Sequence, residues 1–276
     1  MENLGGLELE EREDCLRHAC RAGVDFSIIR SLYESLSVEN RFAAGDGMVW
    51  AAGGGHLDII EAFIGTLGVN VDAVDEEGWT ALMHAAWNGH TDTVNALAGT
   101  HNANVEAVSQ DGTTALMWAA AEGHTATVNA LAGTHNANVE AADLKGKTAL
   151  MVAAWHGHTD TVNALAGTHI ANVEAVDLKG KTALMIAAWH GHTDTVNALA
   201  GTHNANVDAV DKDGYTALMF AAQDGHTDTV NALAGTHNAY VNACGLDGYT
   251  ALMLADDRPH YDTVEALRAL GASSEL

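Results

Sequence analysis

Gly78-Trp79-Thr80-Ala81-Leu82-Met83-His84-Ala85-Ala86-Trp87-Asn88-Gly89-His90 is the stretch on which the fold turns. Thr80 is a natural N-cap, because its hydroxyl can accept from an N–H of the first helical turn. Leu82, Ala85 and Ala86 then recur at the i, i+3, i+4 spacing of one helical face. Gly89 ends this helix, since glycine enters the left-handed region without a Cβ penalty. A second helix is expected from about Thr91 to Ala98, with Val94 and Leu97 turned inward and Gly99 or Asn102 stopping it. Val105-Glu106-Ala107 reads as a short extended piece, and Gln110-Asp111-Gly112 carries a turn signature.

The same unit recurs. Thr-Ala-Leu-Met begins at Thr80, Thr114, Thr148, Thr182, Thr216 and Thr250, a spacing of 34 residues each time. Gly-His follows in step from Gly89-His90 to Gly225-His226, and Gly55-His56 extends the register upstream, where Asp46 stands in the Thr slot. Segments 148–181 and 182–215 differ at only six positions, which marks them as near copies. A unit this small cannot bury its apolar face alone. Neighbours must cover it, and the result is a one-dimensional stack.

The frame Asp-x-x-Gly-x-Thr-x-Leu-x-x-Ala-Ala-x-x-Gly-His, followed by Val and Asn-Val-Glu-Ala, resembles the ankyrin repeat over roughly residues 46–276. The resemblance implies an all-α solenoid of stacked helix-loop-helix units joined by hairpin-like loops. It also implies a role in holding another macromolecule. Departures are visible: Ala replaces the family's Pro and Met its His in Thr-Pro-Leu-His, Pro259 is the chain's one proline, and the repeat is one residue longer than the usual 33. The extra residue falls between Val94 and Val105, at the expected end of helix two. The second helix is also less oily than usual, with Thr91, Thr93, Ala96 and Ala98 in slots often given to Leu or Val. Four segments are expected: a tail (1–9), an N-terminal capping unit (10–45), six repeats (46–249) and a C-terminal capping unit (250–276). Ile170 stands where Asn102, Asn136, Asn204 and Asn238 stand elsewhere. Gly99 and its equivalents are expected to supply the positive φ, which leaves the Ile170 slot an ordinary loop position.

Charge bounds the partner. Asp and Glu number 37 against 12 Lys and Arg, for a formal net charge of −25. Such a surface repels phosphate backbones and anionic membranes, so no nucleic acid and no membrane are expected. A basic or locally cationic partner is favoured, mainly through its on-rate. Sixteen His residues make the charge soft at mildly acidic pH. Cys15, Cys20 and Cys244 do not follow the repeat and form no disulfide framework. The start of the chain lacks the basic and apolar regions of a signal peptide. A cytoplasmic protein, monomeric on its own, is the expectation.

In a repeat protein, a residue at a fixed slot serves the fold, and a residue in a variable slot is the candidate for function. The Gly-His ladder cannot be a zinc array. Adjacent repeats lie about 10 Å apart, whereas zinc needs ligands at about 2.0–2.1 Å. Each His is expected to bond loop backbone instead. His101, His135, His169, His203 and His237 form a second ladder with a loop role, pH sensing being the alternative. His156 and His190 break a slot filled elsewhere by Asn88, Glu122 and Asp224; Trp155 and Trp189 precede them, with Trp87 in the same column. The resemblance places this column on the concave groove, and the hairpin tips toward it. Those tips carry Trp79, Tyr215, Tyr249, Lys145, Lys147, Lys179 and Lys181. Aromatic anchors beside charged rims are the composition of a protein interface. Trp50 and Trp118 share a column with His84, Val152, Ile186, Phe220 and Leu254, and are expected to pack between helices.

No catalytic, cofactor or metal residue is expected. Gly-x-Ser-x-Gly, a phosphate loop and His-Glu-x-x-His do not occur, and Asp211-Lys212-Asp213 lacks the rest of a calcium loop. A binding scaffold or adaptor for another protein is the first reading. A structural or small-ligand surface, binding glycan or metal, is the second, and a regulatory subunit of an enzyme the third.

Overall fold

The structure is a computed structural model that describes residues 9–34 and 43–273; parts of the expected tail and N-terminal cap, and residues 274–276, lie outside the described residues. The described chain forms eight helix pairs: α1 (Leu9–Arg21) with α2 (Phe26–Glu34), α3 (Ala43–Gly53) with α4 (Leu57–Leu67), α5 (Ala81–Trp87) with α6 (Thr91–Asn95), α7 (Ala115–Ala121) with α8 (Thr125–Asn129), α9 (Ala149–His156) with α10 (Thr159–Asn163), α11 (Ala183–Trp189) with α12 (Thr193–Asn197), α13 (Ala217–Gln223) with α14 (Thr227–Val230), and α15 (Ala251–Asp257) with α16 (Tyr261–Ala269). They fall into two compact units. The first holds the described residues up to Ala119 with Ala126–Asn138; the second holds Ala120–Thr125 and the described residues from Val139 onward.

Local chemistry makes the first helix of the Thr-Ala-Leu-Met repeats as expected. The Thr hydroxyl caps the first helix, accepting from Met83 N at 3.2 Å in α5 and from Met185 N at 3.3 Å in α11. Leu82, Met83, Ala85 and Ala86 are buried, as are their equivalents Leu184, Met185, Ala187 and Ala188. The small Ala face lets neighbouring pairs approach closely, α1 and α5 against α3 in the first unit, α9 and α13 against α11 in the second.

The thirty-fourth residue sits inside the second helix. After Asn95 the chain passes into a π-helical turn, Ala96–Thr100, closed by His101 N donating to Ala96 O at 3.0 Å. One residue inserted into an α-helix produces this geometry. The last pair supplies the comparison. From Val264 to Ala272 there are eight steps, against nine from Val94 to Ala103. There α16 closes with Ala272 N on Leu267 O, where the longer repeats place Ala103 N on Leu97 O.

The expected place of the reversal is corrected. Asn102, Asn136, Ile170, Asn204 and Asn238 carry φ between 53 and 58°, whereas Gly99 does not lie in the left-handed region. The π-turn carries the helix past Gly99, so the chain reverses at the Asn102 slot instead. Asn tolerates this conformation and β-branched Ile does not. Ile170 is 81% exposed and gains nothing by burial in exchange. Ile170→Asn is expected to raise the unfolding free energy by about 1 kcal/mol, measured by urea denaturation. An unchanged or lower stability would show that this backbone carries no strain.

Polar ladders replace the missing apolar area of helix two. Thr91 pairs hydroxyl to hydroxyl with buried Thr127 at 2.8 Å in the first unit; Thr159 pairs with Thr195 and Thr193 with Thr229 at 2.9 Å in the second. Five Gly-His rings, those of His56, His90, His158, His192 and His226, reach back one repeat. His90 Nε2 donates to Gly53 O at 3.1 Å, and His192 and His226 donate to Trp155 O and Trp189 O at 3.0 Å.

Candidate binding site

The hairpin tips that begin at Asp75, Asp143, Asp177 and Asp211 are each shaped by one carboxylate. Asp143 Oδ1 accepts from Lys145 N and Lys147 N, both at 2.8 Å. Asp177 does the same for Lys179 N and Lys181 N at 2.8 and 2.9 Å, and Asp75 accepts from Trp79 N at 2.8 Å. Asp and Asn favour such turns because the side chain mimics a backbone acceptor. The turn aims the residue four after Asp at the last turn of helix one in its own repeat. Trp79 thereby meets Trp87, Lys147 meets Trp155, and Lys181 meets Trp189.

In the first unit this gives a cluster of three tryptophans. Trp79 lies 4.9 Å from Trp87 and 4.1 Å from Trp118, and Trp87 lies 5.7 Å from Trp118, between ring centroids. His84 packs on Trp79, with its Nε2 2.8 Å from Asp75 Oδ2. Trp118 is thus a correction: it is half-buried and joins the aromatic patch rather than being sealed between helices. Its Nε1 is buried without a hydrogen-bond partner.

In the second unit the tips and the column converge on a cavity of about 440 Å³, lined by Lys145, Lys147, Trp155, Asp177, Leu178, Lys179, Lys181, Ile186 and Trp189. Lys147 Nζ stands 3.8 Å from the Trp155 ring centroid. Burial pushes its ammonium below the usual lysine value, helped by Lys145 and Lys179 and opposed by Asp143 and Asp177. Trp155 and Trp189 meet edge-on at 6.1 Å, and the His190 ring packs on both, at 4.3 and 5.6 Å. His190 Nε2 is buried without a hydrogen-bond partner, and burial holds the ring's pKa below its usual value, with His192 and His226 acting in the same sense.

Lys181 is a buried tip residue. It is 8% exposed, lies 3.4 Å from the Phe220 centroid and 4.9 Å from that of Trp189, and pairs with Asp211 Oδ2 at 3.2 Å. Lys145 and Lys179 are exposed on the rim. Tyr215 donates its hydroxyl to Asp247 Oδ2 at 2.6 Å and packs on Phe220 at 5.7 Å; burial and that carboxylate push its pKa up to about 12. Tyr249 is exposed one tip further on. His156 is exposed and stacks on His158 at 5.9 Å, outside the residues lining the cavity. A second, wider hollow of about 600 Å³ lies beyond Trp189, bordered by His190, Asp224, His226, Arg258 and His260. Among the described residues no group of three His, Cys, Asp or Glu could hold a metal ion, and no helix is long and apolar enough to cross a membrane.

Ile186 and Phe220 are core residues, as their column implies, and they also reach the site: Ile186 lines the cavity and Phe220 packs on Lys181. The signal was present in their column, since an apolar side chain one turn into helix one can floor a tip-side cavity. Whether it does so depends on the tip above it.

Comparison with known proteins agrees with this architecture. The family profile described as Ankyrin repeats (3 copies) matches residues 16–109, 48–143, 100–177, 136–211 and 184–275. Among solved structures, the chain is similar to the crystal structure of the human ASB11 ankyrin repeat domain, with a TM-score of 0.72 and 25% sequence identity. The match covers 82% of this chain and 98% of that one. No curated protein matches the sequence.

Proposed function

This chain belongs to the ankyrin repeat family, whose domains generally bind other proteins, and on that premise we propose that it is a non-enzymatic scaffold or adaptor. The partner contacts the tip-side faces of the two units. In the first unit Trp79 and Trp87 make the contact. In the second it is made by Lys145, Lys147, Trp155, Lys179, Lys181 and Trp189, flanked by His156, His190, Tyr215 and Tyr249. The terminal helix pairs serve as caps, and a cytoplasmic location accords with three cysteines that are free thiols.

One observation carries the reading: ammonium groups set over half-exposed indole faces around an open cavity. Aromatic and cationic side chains in a concave, partly desolvated place are where binding energy concentrates. A partner identified by affinity purification and then produced pure is the material for the test. Trp155→Ala combined with Trp189→Ala is expected to weaken its binding by about 100-fold, read by calorimetric titration, with circular dichroism confirming the fold. Unchanged affinity in a folded double variant sinks the reading.

A further inference from the structure

All five lysines of the chain, Lys145, Lys147, Lys179, Lys181 and Lys212, lie in three successive hairpins of a protein whose net charge is −25. The first two hairpins repeat Asp-Leu-Lys-Gly-Lys, at 143–147 and 177–181. Their leucines do not pack inward: Leu144 is 71% exposed and Leu178 64%. Four ammonium groups, two indoles, Leu178 and Ile186 therefore surround one cavity.

The carboxylates near these lysines are already engaged. Asp143 and Asp177 each accept two backbone N–H groups of their own hairpin, and Asp211 pairs with Lys181. Among the described residues, Lys145, Lys147 and Lys179 form no ion pair. Lys147 is half-buried over Trp155 without a carboxylate at salt-bridge distance, and burial disfavours its charge. A desolvated ammonium of this kind gains most from an incoming anion.

We infer that this cavity docks an acidic segment of the partner protein, one large apolar side chain entering between Trp155 and Trp189 and flanking carboxylates meeting Lys145, Lys147 and Lys179. The inference rests on the reading of this face as the partner-binding face and names the chemistry it selects. A volume of about 440 Å³ suits one such side chain with a short stretch of its backbone. The protein's overall negative field opposes an acidic segment at long range, but it is screened beyond about 8 Å at physiological ionic strength. Recognition is then decided at contact, where the rim ammonium groups act. The general expectation of a cationic partner is reversed at this one place.

The test uses the full chain and a fluorescein-labelled probe peptide, Asp-Glu-Phe-Asp-Glu, followed by fluorescence anisotropy. The peptide is expected to bind saturably, and its Phe→Ala version to bind about tenfold more weakly. Lys145→Glu combined with Lys179→Glu alters only exposed rim groups and is expected to weaken the parent peptide by about tenfold or more. No saturable binding, or equal binding by the rim variant, overturns the inference. So does a thymine oligonucleotide that binds in the peptide's stead with the same sensitivity to the rim variant. Should the acidic peptide fail while Trp155→Ala with Trp189→Ala still abolishes binding of the purified partner, the partner-binding face stands and only its acidic selectivity falls. Should the peptide bind as expected while that double variant leaves the purified partner unaffected, the reverse holds.

Discussion

Gly191→Ala is expected to lower the unfolding free energy by about 3 kcal/mol. Gly191 has φ 69°, where alanine is disfavoured by about 1 kcal/mol. A Cβ there would lie 2.5 Å from His226 Nδ1 and 2.7 Å from its Cγ. The ring cannot move aside freely, because its Nε2 donates to Trp189 O at 3.0 Å. Displacing it breaks that hydrogen bond and forces the neighbouring repeat to repack. Gly248→Ala is the control. It has φ 86° and nothing within 4 Å of its Cβ, so only the backbone penalty of about 1 kcal/mol applies. Urea unfolding of both variants measures the difference. If Gly191→Ala proves no worse than Gly248→Ala, the close approach of glycine to the next repeat's His is not what demands glycine there.

Lys181→Ala is the second large effect, again about 3 kcal/mol, while Lys179→Ala two residues away stays within about 0.5 kcal/mol. The Asp211 side chain is 2% exposed and has Lys181 as its cationic partner at 3.2 Å. Truncation leaves that carboxylate buried without a counter-charge and opens space between Trp189 and Phe220. Lys181→Met separates the two causes, since methionine keeps most of the volume and none of the charge. A methionine variant nearly as unstable as the alanine variant assigns the effect to the ion pair. Wild-type stability in the methionine variant assigns it to packing. Equal, small effects at Lys181 and Lys179 would contradict the buried placement altogether.

Much of the candidate site was legible because its parts recur at fixed offsets. The aromatic column and the tip lysines stand out as breaks in an otherwise even repeat, and the turn at each Asp brings tip and column together within one repeat. Trp118, Ile186 and Phe220 were not legible as site residues. Their column reads as core by composition, and whether it reaches the site is set by the tip of an adjacent repeat. His156 and His190 share the variable slot, yet of the two only His190 packs on the two tryptophans.

The amino-acid sequence by itself determined the 34-residue period, the Thr caps, the Gly-His turn and the buried Val94 and Leu97, because each depends on contacts within one repeat or with an almost identical neighbour. The sequence also placed the added residue between Val94 and Val105; the tertiary structure decided that it enters as a π-turn and how each tip lysine is used. The π-turn moved the chain reversal from Gly99 to the slot of Asn102, which placed Ile170 in a conformation its sequence neighbours do not forbid. Lys147 and Lys181 share the same letters around them and differ in burial. The following repeat offers Ile186 to one and the face of Phe220 to the other, and a contact made one repeat further along the chain cannot be read from the hairpin that makes it.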